Sequence, residues 1–251
     1  MSHQFNDTST GTGLVQLYEL EIGADATTVS GNTTKLKQFA AATRVAFDNF
    51  FQIALPASGT WQLDDSNYVT NAGDYPIIST NLVANQRDYP FTSDEFGNLV
   101  LDIYKVLIAN SSGRFSEVKP VDTQSESDTA GFWDGQNQTG TPHRYDKTAN
   151  GIFLDPIPSY NYTNGLKAYV NREPSYFVYT DTSKKPGVPG LFHSYFYLKP
   201  AADYLRRHGS TNDFNKTMNE VLRLEAAIVK HFSERPRDEV RRMAPLYENN
   251  H

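Results

Sequence analysis

NTTKLKQFAAATRVAFDNF, residues 32–50, is the stretch on which the fold turns. Leu36, Phe39, Ala40, Thr43, Phe47, Phe50 and, just beyond, Ala54 recur at steps of three and four, which is one face of an α-helix. Lys35, Lys37, Arg44 and Asp48 fall off that stripe. Asn32 or Thr33 stands where an N-cap belongs, because a short side-chain oxygen there accepts the amides that the first turn leaves free. The helix is expected to stop before Pro56, whose ring also drives Leu55 away from helical angles. Burying Phe39, Phe47 and Phe50 stabilises by about 1.5–3 kcal/mol each. A lone helix is marginal in water, so this face predicts a packing partner.

Upstream, Leu14–Ile22 is a short apolar-rich segment that periodicity alone leaves open between strand and helix. Gly23 reads as a helix stop and favours helix. Residues 24–31 are a polar connection. Downstream, from Trp61 to Tyr179, turn signals punctuate the chain: Asn71-Ala-Gly73, Phe96-Gly-Asn98, Ser111-Ser-Gly113, Asn150-Gly151 and Asn164-Gly165. Between them Arg87–Phe91, Leu99–Ala109, Gly151–Leu154, Leu166–Val170 and Ser175–Thr180 read as strands. Pro186 to Pro189 closes this region. Leu191–His208 is helical in tone, with Pro200 expected to break or kink it and Gly209 to end it. Thr211 or Asn212 opens a long helix carrying Phe214, Met218, Val221, Leu224, Ile228 and Phe232 at helical spacing. Pro236 suits the first turn of a short helix beyond it.

The expected fold is therefore α+β: a helical bundle formed by the N- and C-terminal helices, with an inserted antiparallel β-sandwich or barrel-like domain. The expected parts are residues 1–56 (N-terminal helical part), 57–185 (inserted β domain) and 186–251 (C-terminal helices and a charged arm that complete the helical domain). No internal repeat is present.

Charge and composition exclude several functions. The 251 residues carry a formal net charge of -6. A protein whose main task is coating nucleic acid needs the opposite balance, since that affinity comes from Lys and Arg neutralising phosphates. There are no cysteines, so disulfides, thiolate metal sites and cysteine nucleophiles are excluded. Aromatic residues make up 13%, with 15 Tyr and 15 Phe, which fits both wet interfaces and β-rich cores. Met1–Gly13 is polar and is not expected to be a secretory signal. No apolar run is long enough to span a membrane.

Candidate chemistry is sparse. Asp64 and Asp65, beside Trp61 and Tyr68, could form a carboxylate pair in a glycan cleft. Hydrolysis, however, needs two carboxyls flanking one bond, and adjacent strand residues point to opposite faces. A turn is the plainer reading. The six histidines (His3, His143, His193, His208, His231, His251) show no metal-ligand spacing. No nucleophile elbow, P-loop or dinucleotide fingerprint occurs. No enzymatic activity, cofactor or metal is expected. Residues 123–141 form a polar loop whose one large apolar unit, Phe132-Trp133, either anchors the loop on its own domain or inserts into a neighbour. Arg235, Arg237, Arg241 and Arg242 alternate with Glu234, Asp238 and Glu239, as on a solvated helix face.

Several segments, in order, carry a resemblance. They are Glu21-Ile22-Gly23, Trp61-Gln-Leu-Asp-Asp65, Thr80-Asn-Leu-Val-Ala-Asn-Gln-Arg-Asp-Tyr-Pro-Phe91, Leu99–Ile108, Val118-Lys-Pro-Val-Asp122, Thr141-Pro-His-Arg-Tyr145, Gly151-Ile-Phe-Leu-Asp-Pro-Ile-Pro158 and Leu166–Pro174. Their order and spacing resemble the head-to-tail adaptor (connector) proteins of tailed phages, over most of Leu14–Phe177. The resemblance implies a structural virion protein of the neck, assembled in the host cytoplasm. It would form a homo-oligomeric ring, commonly a dodecamer, that binds the portal protein and the tail or nozzle proteins, with no membrane involved. Packaged DNA would pass through the ring without sequence-specific binding. Phe132, Trp133, Arg235, Arg237, Arg241 and Arg242 are then candidates for the portal or neighbour interface. The alternative is a carbohydrate-binding β module of a phage tail or receptor-binding protein, which would account for the Tyr and Trp content.

Overall fold

The computed structural model describes residues 3–58, 77–93, 97, 99–121, 138–148 and 151–234. The chain divides into two compact units: Met1–Trp61 with Tyr176–His251, and Gln62–Ser175. Its class is α+β, with four α-helices among the described residues and a large curled, mostly antiparallel sheet.

The first unit opens with α1 (Leu14–Glu21). Gly23, at φ 67°, closes it: the Gly23 amide donates to Leu20 O at 3.2 Å and the Ala24 amide to Glu19 O at 2.9 Å. That is the Schellman arrangement, and its positive φ is one that glycine adopts without strain. α2 (Thr33–Ser58) is capped by Asn32, whose Oδ1 accepts the amides of Thr34 and Lys35 at 3.0 and 3.1 Å. Leu36, Phe39, Ala40, Thr43, Phe47, Phe50 and Ala54 are all buried, as the stripe requires. The helix does not stop before Pro56 but runs through it to Ser58. In a last turn the missing N–H costs one hydrogen bond and interrupts nothing downstream.

α3 (Tyr195–His208) likewise contains Pro200, buried, without being ended by it. Gly209 follows in extended backbone and donates to Leu205 O at 2.8 Å. α4 (Thr211–Glu234) starts at Thr211, one of the two expected positions, and is capped by Ser210. Ser210 Oγ accepts the Asp213 amide at 3.1 Å and donates to Asp213 Oδ2 at 2.7 Å, a reciprocal cap. α2, α3 and α4 pack on one another, and α1 packs on α3. Their shared core is aromatic: Phe47 and Phe196 have ring centroids 4.2 Å apart, and Phe50 meets Phe196 at 5.6 Å and Phe232 edge-on at 6.0 Å. Tyr195 Oη donates to Glu225 at 3.1 Å, while Thr217 Oγ1 donates to Glu21 at 2.6 Å. α4 therefore runs antiparallel to α3, ending beside Phe192.

Ser175–Thr180 is not a strand. The segment is assigned to no strand, and from Tyr176 onward it belongs to the first unit instead. Tyr176 lies under Arg44 (4.1 Å) and donates to Asp48 at 2.5 Å, and Phe177 stacks against Phe5 at 4.7 Å. Its Tyr and Phe signal a helix-facing plug as readily as a strand.

The second unit is built on β1 (Ile77–Leu82), β2 (Asp88–Pro90), β3 (Val100–Ala109), β4 (Phe115–Pro120), β6 (Arg144–Thr148), β7 (Gly151–Asp155) and β9 (Tyr162–Arg172), in the order β1-β9-β3-β4-β6-β7-β2. Every pairing is antiparallel except β4 with β6. Two short strands, β5 (Thr139–Gly140) and β8 (Ile157–Pro158), pair separately, so the end of the expected 123–141 loop is ordered. The seven strands form a single curled sheet, and its residues share one core that includes Ile103, Val106, Ile108, Tyr145, Leu154, Leu166 and Val170. Ser111-Ser-Gly113 turns β3 into β4, with Gly113 at φ 80°. Asn164-Gly165 is no turn. It lies inside β9 as a bulge opposite Asn81, whose Oδ1 accepts the Asn164 amide at 2.9 Å. Gly151 is required by close approach: a Cβ there would sit 2.9 Å from Pro90 Cα.

Among the described residues no helix is long and apolar enough to cross a membrane.

Candidate interaction surfaces

A cleft of about 660 Å³ opens on the first unit, between α1, the connection to α2, the first half of α2 and the end of α3. Its floor is aromatic and aliphatic. Tyr18 and Phe39 lie 4.7 Å apart, and Tyr18 meets Tyr204 edge-on at 6.3 Å. Val45 and Tyr204 leave apolar surface open, at 52% and 40% exposure. Lys35, Arg207 and His208 also line the cleft, against the single carboxylate of Asp203. Burial, with a smaller contribution from Tyr204, pushes the Tyr18 phenol up to about 12, so it stays neutral.

The wall formed by residues 24–31 is pinned from below. Glu19 is buried, and its Oε1 accepts the amides of Val29 and Ser30 at 2.6 and 2.7 Å. Charge-assisted bonds of this kind are about twice as strong as neutral ones. The cleft is thus a shaped opening, suited to taking an apolar side chain while presenting cations at its rim.

A second, shallower groove of about 510 Å³ lies toward the other end of the α3–α4 pair. Leu191, 74% exposed, stands over Leu224 and Ala227, with Arg223, Lys230 and Glu234 around them.

In the second unit, Asp155 joins two arginines. Arg144 donates to its Oδ2 through Nε at 3.0 Å and Nη2 at 2.6 Å, and Arg87 Nη2 stands 3.6 Å from Oδ1. Arg87 Nε also donates to Leu154 O at 3.2 Å. Arg87, Arg144 and Asp155 come from three of the segments that carry the resemblance, so the strands bring those segments to one place. Their contacts tie β6 and β7 to the residue just before β2.

Phe132, Trp133, Arg235, Arg237, Arg241 and Arg242 lie outside the described residues, as do Trp61, Asp64, Asp65, Tyr68 and Pro236. His193 is fully buried and satisfied: its Nδ1 accepts the His3 amide at 3.0 Å and its Nε2 donates to Val188 O at 2.9 Å. Among the described residues no group of three or more His, Cys, Asp or Glu is placed to hold a metal ion. Sequence reading missed the cleft. The one local hint was Tyr204 four residues before His208, on a turn that also holds Arg207, and the two rings do stack at 4.7 Å.

No protein-family model matches this chain. No curated protein matches it at a significant level.

Proposed function

We propose that this chain is a head-to-tail adaptor subunit of a tailed phage, one copy in a ring that bridges the portal to the tail around the DNA channel. The observation that carries this reading is the pair of unlike clefts on the helical unit. One opens beside the end of α3, and the other lies about 20 Å away along the helix pair, given α3's fourteen residues. A closed ring needs a heterologous interface, in which two different patches of each subunit meet. On this reading the helices act as one bundle that holds the ring, and the curled sheet is the inserted barrel-like module facing portal or tail. The order of the sequence segments supports the same role. The net charge of -6 suits a channel wall past which DNA must slide without sticking.

Native mass spectrometry of the purified protein, alone and with its cognate portal, tests the proposal. One stoichiometric ring on the portal is expected. A chain that remains monomeric and ignores the portal overturns it, and glycan binding by that monomer would put a carbohydrate-binding module in its place.

A further inference from the structure

We propose that the cleft between α1, α2 and α3 is a binding site for a small aromatic carboxylate. The site goes beyond the adaptor reading and does not depend on it, because every group involved belongs to one chain. The residue that points to a ligand is Tyr18. It is only 9% exposed and lines the cleft. Its phenol oxygen nonetheless has no hydrogen-bond partner among the described residues. Buried polar groups are nearly always paired, and burial keeps this one protonated. It is therefore a donor without an acceptor, set in the wall of an open cleft.

The rim fixes the charge of that acceptor. Lys35 and Arg207 line the cleft and form no ion pair among the described residues. His208 lines it too, stacked on Tyr204 at 4.7 Å. The one carboxylate of the lining, Asp203, leans toward Arg206 at 4.0 Å. The rim is thus left with uncompensated positive charge, and an anionic acceptor gains from the cations as well as from the phenol. One phenol and two exposed cations suit a monoanion. A phosphate would call for several converging donors.

The floor fixes the rest of the ligand. Tyr18 and Phe39 lie tilted at 4.7 Å, and Tyr204 meets Tyr18 edge-on at 6.3 Å. A further ring can add to such a cluster in the tilted and edge-on geometries that aromatic pairs prefer. The volume, about 660 Å³, lies within the roughly 300–1,000 Å³ of small-molecule sites, which join an apolar lining to a few polar groups. The wall is already set, because Glu19 holds the Val29 and Ser30 amides. Binding does not have to order it.

The test titrates the full chain with naphthaleneacetate, by isothermal calorimetry and by the shifts of labelled valine methyls. A Kd of about 0.1–1 mM is expected for a ligand of this size, with shifts centred on Val29 and Val45. Naphthaleneethanol, which has the same ring and no charge, should bind at least about fivefold more weakly. Lys35→Ala and Arg207→Ala should each weaken the acid about two- to fivefold and leave the alcohol unchanged, as exposed ion pairs would. Tyr18→Phe should weaken the acid about three- to tenfold. It should not lower the thermal midpoint, because the phenol makes no bond in the free protein. Absence of saturable binding overturns the proposal. So do equal affinities for acid and alcohol, an acid affinity that Tyr18→Phe leaves unchanged, or methyl shifts that map away from the cleft.

Discussion

Glu19, on α1, accepts the backbone amide of Val29 at 2.6 Å from a position almost closed to solvent. One carboxylate thus sets the loop that forms a wall of the cleft, because the Ser30 amide shares the same oxygen at 2.7 Å. Removing it leaves two amides without their acceptor. Glu19→Ala should destabilise the helical unit by about 2–3 kcal/mol, read as a lower urea midpoint with an unchanged slope. A midpoint that does not move would mean that water replaces the carboxylate at no cost.

Asp155 is the single acid between Arg87 and Arg144. Its side chain is 13% exposed, against 14% for Arg87 and 37% for Arg144. Asp155→Ala removes the carboxylate that both guanidinium groups share. The expected cost is about 1.5–3 kcal/mol, discounted for the solvent around Arg144. Hydrogen exchange should show faster opening of β6 and β7, with the protection of α2–α4 unaltered.

Phe47 is fully buried against Phe196, Phe177 and Tyr176. Phe47→Ala should cost about 3–5 kcal/mol, from lost transfer energy and the cavity left behind. Thermal unfolding measures it. Phe47→Leu should recover more than half of the loss.

His193 makes stability depend on pH. Burial lowers its proton affinity below the usual 6.5, with a smaller contribution from His3. The folded protein therefore holds the ring neutral where the unfolded chain would already protonate it. The unfolded state binds more protons in that window, so stability rises with pH there. The contribution is complete above about pH 6.5 and is lost as pH falls from there through the lowered value. Urea midpoints at pH 7.5 and 5.5 should differ more for the wild type than for His193→Gln, which keeps a donor and an acceptor but no titrating group. Equal differences would assign the pH dependence to other groups.

The sequence by itself determined the helices and the longest strands. The stripe from Leu36 to Ala54, the Asn32 cap and the Gly23 stop are interactions within a few residues, so they are written in local spacing. β3, rich in aliphatic residues, and the Leu166–Val170 part of β9, where Leu166, Ala168 and Val170 alternate inward, could be read the same way. β4 and β6 could not. Each buries one side chain in its middle, Val118 and Tyr145, and a single residue has no period. Their parallel pairing joins residues about 25 positions apart in the chain, and nothing local encodes it. The same holds for Asn164-Gly165, a hairpin signal until β1 arrives beside it and makes it a bulge. The portal-interface candidates Arg235, Arg237, Arg241 and Arg242 and the Phe132-Trp133 pair still rest on sequence alone. The cleft rests on tertiary structure alone. Tyr18 and Phe39 read locally as core residues, and Lys35 and Arg207 as solvated ones. Only packing of α1, α2 and α3, driven by burial that no residue achieves alone, places an apolar floor beneath a cationic rim.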